Sequence, residues 1–277
     1  MSKPFHFKAG HTPLLISMPH VGTAIPDAIA ADMNPVAHQK ADTDWHLPLL
    51  YNMAEQLGAS VLIAEYSRYV IDLNRPREDS SLYPGQDTTG LCPVDTFAKE
   101  ALYRENRLPD ATQVSERIRH YWQPYHTQLQ AELDRIRQQH GMALLWDAHS
   151  IASVVPRFFS GRLPDFNFGT ADQKSCDISL QEGLHKVVQQ AAGNYSFVFN
   201  GRFKGGYITR HYGQPDRQVH AVQLEMAQCV YMDEAAPFSY RPDLACKVQP
   251  LLTELLATAL GWVTEQAKKQ PDARSLP

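Results

Sequence analysis

The stretch "LLWDAHSI", residues 144–151, begins with the apolar letters of a buried strand and turns abruptly to Asp147, Ala148, His149 and Ser150. A short apolar run bounded by polar residues is the pattern of a strand inside a sheet. An Asp and a His two apart where such a strand ends are one way of presenting metal ligands. Upstream, residues 112–140 place Val114, Ile118, Tyr121, Tyr125, Leu129, Leu133 and Ile136 three and four apart. That spacing predicts a long amphipathic helix, kinked at Pro124 and stopped by Gly141. Further back, "TPLLISMPH" (12–20) predicts a strand, 44–58 a helix ending at Gly58, and Val61–Ala64 and Tyr69–Leu73 two adjacent strands. Residues 76–95, rich in Pro, Gly, Asp, Ser and Thr, read as a long functional loop. Downstream come an irregular stretch to about 174, a helix over 176–193, strands at 195–201 and 219–227, and a C-terminal helix over 242–270. Strands alternating with helices argue for one α/β domain over 1–277, with a tail at 271–277 expected to fray.

Composition narrows the function. The chain has 277 residues, 43% hydrophobic and 20% charged, with 26 basic and 30 acidic residues and a net charge of −4. Without a long run of either sign, neither nucleic acid nor a membrane surface is the expected partner. No stretch approaches about 18 uninterrupted apolar residues, so no transmembrane helix is expected. The N-terminal "MSKPFHFKAGHTPLLISM" lacks the apolar run and cleavage site of a signal peptide, and the four cysteines are scattered without a C-x-x-C pair. Both features give the expectation of a cytoplasmic protein with reduced thiols. Oligomeric state is not legible.

Several predicted strands lead into residues of one chemical kind: His20 after the first, His149 after the strand at 144–147, and Glu225 within 219–226. Asp42 and Asp44 precede the first long helix. Two imidazoles, one carboxylate and an open position make a catalytic zinc shell, and a further carboxylate serves as general base. Each residue has an ordinary alternative: a strand-end His at the surface, Asp44 as a helix N-cap, Glu225 facing solvent. Spacing alone leaves both readings open, because no H-E-x-x-H or C-x-x-C is present. Ser150 has no G-x-S-x-G around it, and "GRFKGG" (201–206) lacks the spacing of a phosphate loop. Arg75 and Arg77 in "DLNRPRED", and Arg210 with His211 in "GGYITRHYGQ", follow strand-like runs. Guanidinium groups there suit carboxylates, although solvated charges or structural ion pairs explain them equally.

Taken in order, "SMPHVGTAIP", "DTDWHL", "VIDLNRPRED", "LYPGQDTTGLCP", "WDAHSI", "GRFKGGYITRHYG" and "AVQLEMAQ" resemble the N-formylglutamate amidohydrolase family, over about residues 12–260. The resemblance implies a mixed central sheet flanked by helices, similar to zinc carboxypeptidases and aspartoacylases. It implies zinc-dependent hydrolysis of a small molecule, N-formyl-L-glutamate, to L-glutamate and formate as the last step of a histidine degradation route. A metal-bound water would attack the formyl carbon. His20, Asp44 and His149 are the implied ligands, Asp44 in preference to Asp42, with Asp147 behind His149. Glu225 is the implied general base by analogy with zinc carboxypeptidases, His211 standing next. Asn74, Arg75, Arg77, Arg210 and His211 are the expected substrate-binding set, Arg75 and Arg210 foremost for the carboxylates. A zinc deacylase or carboxypeptidase for another N-acyl amino acid, and a non-catalytic dicarboxylate-binding protein, are the rival readings.

Overall fold

The computed structural model describes residues 3–82, 85–191 and 193–269, so the tail expected to fray lies outside the described residues. Its strands are β1 (Phe5–Lys8), β2 (Leu14–Met18), β3 (Ser60–Ala64), β4 (Ala143–Ile151), β5 (Phe166–Gly169), β6 (Phe197–Phe199) and β7 (Val219–Ala227). They form one mixed sheet in the order β1-β3-β2-β4-β7-β5-β6. The central β3, β2, β4 and β7 are parallel, β1 and β5 pair antiparallel to their inner neighbours, and β6 runs parallel to β5. The α-helices are α1 (Asp27–Ala30), α2 (Leu47–Leu50), α3 (Ala111–Arg117), α4 (Gln123–His140), α5 (Ile178–Gln190), α6 (Tyr207–Tyr212) and α7 (Pro242–Lys269).

The two faces of the central strands explain the opening stretch. Successive strand residues point to opposite faces. On one face Leu144, Trp146 and Ala148 of β4 and Val222, Leu224 and Met226 of β7 pack continuously against α5 and α7. On the other, Ala143, Leu145, Val219 and Ala221 pack under α4. There the same face changes character: the next positions are Asp147 and His149, in register with Gln223 and Glu225. The strand does not stop at 147 but runs to Ile151. Asp147 and His149 belong to the half of one face that α4 leaves uncovered, whereas Ser150 lies on the opposite face and accepts from the Tyr231 hydroxyl at 2.7 Å.

Other expectations need correction. Tyr69–Leu73 is buried yet forms no strand. Donors from loops and helices take the place of a ladder: Arg117 Nη1 reaches Val70 O at 3.1 Å, His126 Nε2 reaches Leu73 O at 2.9 Å and Trp122 Nε1 reaches Arg75 O at 2.9 Å. The helix expected over 44–58 is broken into α2 and a 3₁₀ turn at Asn52–Ala54, with Leu47, Leu50 and Ala54 still buried. Residues 112–140 are helical throughout, but a π-helical turn at Ile118–Trp122 separates α3 from α4 just before Pro124. The stretch to 174 was expected to be irregular yet holds β5, four residues long and too short to carry a period.

Candidate metal centre and active site

Near the C-terminal ends of β2 and β4 three buried side chains converge. His20 follows β2 by two residues, and its backbone carbonyl accepts from the Asp44 N–H at 3.0 Å. The Asp44 turn is held from the far end of β7, where Gln228 Nε2 donates to Thr43 O at 2.9 Å. Asp44 Oδ2 then lies 3.0 Å from His149 Nδ1 and 3.7 Å from His20 Nδ1. One donor atom from each of His20, Asp44 and His149 fits within 4.8 Å of the others. That spacing suits a cation bound at about 2.0–2.2 Å by nitrogen and carboxylate oxygen. Asp42 is turned elsewhere, accepting from the Phe97 N–H at 2.9 Å.

The far side of each imidazole is held by a carboxylate. Asp72 Oδ1 sits 2.7 Å from His20 Nε2, and its Oδ2 accepts from Arg68 Nη2 at 2.8 Å. Asp147 Oδ1 lies 3.2 Å from His149 Nε2, an ion-pair distance without hydrogen-bond geometry, while Asp147 Oδ2 accepts from the Thr209 hydroxyl at 3.0 Å. Carboxylates behind imidazoles fix ring orientation, and here both Nδ1 atoms face Asp44 Oδ2. Neither Asp72 nor Arg68 was anticipated from the sequence; the signal was an acid set inside the apolar run "YVIDL".

Electrostatics also favour a cation. Asp44, Asp72, Asp147 and Glu225 are all buried here, with Arg68 the buried guanidinium among them. Burial opposes the charged form of Asp44, yet His149 and His20 hold its carboxyl below the ordinary range. Burial would lower His149, but Asp147 and Asp44 hold it well above its ordinary value. At Glu225 burial outweighs the opposing charges of His149 and Arg68 and, aided by Asp44 and Asp147, pushes the carboxyl up to about 8. Three donors with anionic support and an adjacent carboxylate fit a divalent metal with an open coordination position.

The cluster lines a cavity together with Arg68, Asn74, Arg75, Phe97, Arg202 and Glu225. Asn74 Oδ1 accepts from the Ile208 N–H at 2.8 Å, and its Nδ2 lies 3.0 Å from His149 Nε2. Gly206 allows this approach, because a Cβ there would stand 2.3 Å from Asn74 Nδ2. Among the described residues, the Arg75 guanidinium has no hydrogen-bond or ion-pair partner. The remaining expected substrate residues are not brought here. Arg77 is exposed and paired with Glu78, and it lines a separate surface groove together with His211. Arg210 donates through Nε to Gly205 O at 2.7 Å and does not line the cavity. The physical reason is local: what read as a run before Arg210 is helix α6, which directs consecutive side chains around its axis.

Residues 12–232 match the model of the N-formylglutamate amidohydrolase family. N-formylglutamate deformylases of Pseudomonas aeruginosa and Pseudomonas putida are 53% and 52% identical, spanning 96% and 97% of this chain and 99% and 100% of theirs. The crystal structure of an N-formylglutamate amidohydrolase from Ralstonia eutropha JMP134 aligns with a TM-score of 0.80 at 23% identity, covering 96% of this chain and 100% of that one. A gene product of Agrobacterium tumefaciens aligns with a TM-score of 0.71 at 18% identity, covering 95% and 96%. At these identities the two structures share the fold. No described helix is long and apolar enough to cross a membrane.

Proposed function

The chain belongs to the N-formylglutamate amidohydrolase family, and we propose that it hydrolyses N-formyl-L-glutamate to L-glutamate and formate with one zinc ion held by His20, Asp44 and His149. The observation that carries this reading is the convergence of those three side chains in a cavity that Glu225 also lines. Zinc bound there supplies Lewis-acid polarisation and lowers the pKa of water to about 7. Glu225 takes the proton of the attacking water and returns it to the departing nitrogen of glutamate. Its carboxyl, pushed up to about 8 by burial, returns toward working pH when a cation stands beside it, which is the range a general base needs. Asn74 and Arg75 orient the substrate, Arg75 through an unpaired guanidinium that suits a carboxylate. Asp72 holds the His20 imidazole by a hydrogen bond, while Asn74 Nδ2 and the Asp147 charge flank His149 Nε2. Glutamate and formate as products make this the closing step of a histidine degradation route.

The test compares formate release from N-formyl-L-glutamate with acetate release from N-acetyl-L-glutamate, in the wild type and in His149→Ala. Formate release by the wild type alone is the expected result. Preferential acetate release would make the protein a deacylase of another class, and binding without release of either acid would make it a dicarboxylate-binding protein.

A further inference from the structure

N-formylglutamate carries two carboxylates, so a cavity built for it needs two cationic partners beyond those that organise the metal. Arg68 is held by Asp72 and Asp44, Arg157 by Asp87 and Asp95, and Lys204 by Asp172. Besides Arg68, the cationic side chains that line the cavity are Arg75 and Arg202. Their settings differ. Arg75 follows Asp72 and Asn74, whose side chains lie 2.7 Å from His20 Nε2 and 3.0 Å from His149 Nε2. Its charge acts on Asp72, and both line the cavity with His20, Asp44 and His149. Arg202 comes from the loop between β6 and α6. Its Nε donates to Phe158 O at 2.7 Å, and its guanidinium lies 5.7 Å and 5.4 Å from the ring centres of Phe158 and Phe203. A planar guanidinium held by a backbone carbonyl and by aromatic rings is pre-organised, so little side-chain freedom is lost when it binds an anion.

The substrate has the matching asymmetry. Its α-carboxylate is attached to the carbon that bears the scissile amide nitrogen, whereas its side-chain carboxylate lies two methylenes further out. We propose that Arg202 is the specificity-determining residue that reads the side-chain carboxylate, while Arg75 takes the α-carboxylate. This assignment rests on the proposed deformylase reading.

The experiment measures kcat/KM on N-formyl-L-glutamate and on N-formyl-L-glutamine, which has the same length and a neutral side-chain amide, for the wild type, Arg202→Met, Arg202→Lys and Arg75→Met. The wild type should favour the glutamate derivative. Arg202→Met should lose roughly 10- to 100-fold on that substrate, mainly through KM, and far less on the glutamine derivative, so that the preference collapses. Arg75→Met should lower both substrates alike. Equal losses on both substrates in Arg202→Met, or collapse of the preference in Arg75→Met instead, would overturn the assignment. If Arg202→Met loses its near-ultraviolet circular dichroism, Arg202→Lys decides. It keeps a charge without the planar fork and should show a reduced preference; an undiminished one overturns the proposal. A wild-type protein that releases formate from neither substrate would refute the deformylase reading itself, a result distinct from all of these.

Discussion

Asp72→Asn isolates the carboxylate that holds His20. In the native site Asp72 joins two groups, His20 Nε2 at 2.7 Å and Arg68 Nη2 at 2.8 Å. Burial works against its charge, yet His20 and Arg68 together hold its carboxyl well below the ordinary range. The amide keeps the shape and one acceptor oxygen but removes the charge. Arg68 is then left with Asp44 Oδ1, 3.9 Å away, as its nearest anion, and that competes for a metal ligand. Replacing a carboxylate behind a ligand histidine weakens metal binding by about 10- to 100-fold. Leaving a buried charge without its partner costs up to about 3–5 kcal/mol of stability. Zinc affinity is read by competition against a chromophoric chelator, and stability by urea unfolding of the metal-depleted protein. Asp72→Asn should show both losses, whereas Asp42→Asn should leave zinc affinity intact. Zinc binding as tight as in the wild type, with His20 still required, would refute the reasoning that Asp72 orients this imidazole.

Glu225→Gln should retain zinc and fold while lowering turnover by about 10²- to 10⁴-fold, as followed by formate release with metal content measured in parallel; near-normal turnover would place the base elsewhere. Arg77→Ala and His211→Ala, both in a groove apart from the cavity, should keep kcat/KM within about threefold, whereas Arg75→Ala should lose about 10- to 100-fold, the worth of a charge-assisted hydrogen bond; steady-state kinetics on the three variants decides. Burial pushes the His126 imidazole down to about 3, so between its unfolded value near 6.5 and pH 3 the unfolded chain binds a proton that the folded protein does not. Stability from this residue is therefore lost as pH falls, by roughly 2 kcal/mol between pH 7 and pH 5. His126→Gln, which keeps a donor for the Leu73 carbonyl, should remove that increment from the pH dependence of urea unfolding; an unchanged pH dependence would mean that His126 is not held neutral.

The parts of the fold with a long period were legible: the helical span of 112–140, the C-terminal helix, and β4 and β7 as apolar runs. His20, His149 and Glu225 could be singled out because each sits in or just beyond a core strand, and Asp44 because it precedes a helical turn. What misled was treating polarity at 147–150 as the end of a strand. Alternate residues of β4 face different neighbours, and Asp147 and His149 share one of its two faces. Asp72 and Arg68 were hidden because the segment from 68 to 75 takes its hydrogen bonds from side chains of α4 and the adjoining helical turns, contacts some 47–53 residues distant. Arg202 was hidden for a similar reason: its guanidinium is fixed by Phe158 and Phe203, and the first lies far from it in sequence. Arg75 and Arg77 are two positions apart, yet one lines the cavity and the other the separate groove. Loop dihedrals decide that, and no periodicity records them.

The central claim is that one divalent metal on His20, Asp44 and His149 is required for hydrolysis of N-formyl-L-glutamate. It is tested most directly by titrating zinc into chelator-stripped protein while following formate release. The account predicts negligible activity without metal and a linear rise that breaks at one equivalent, absent in His149→Ala. Full formate release from protein stripped of metal, or an undiminished break in His149→Ala, would contradict it.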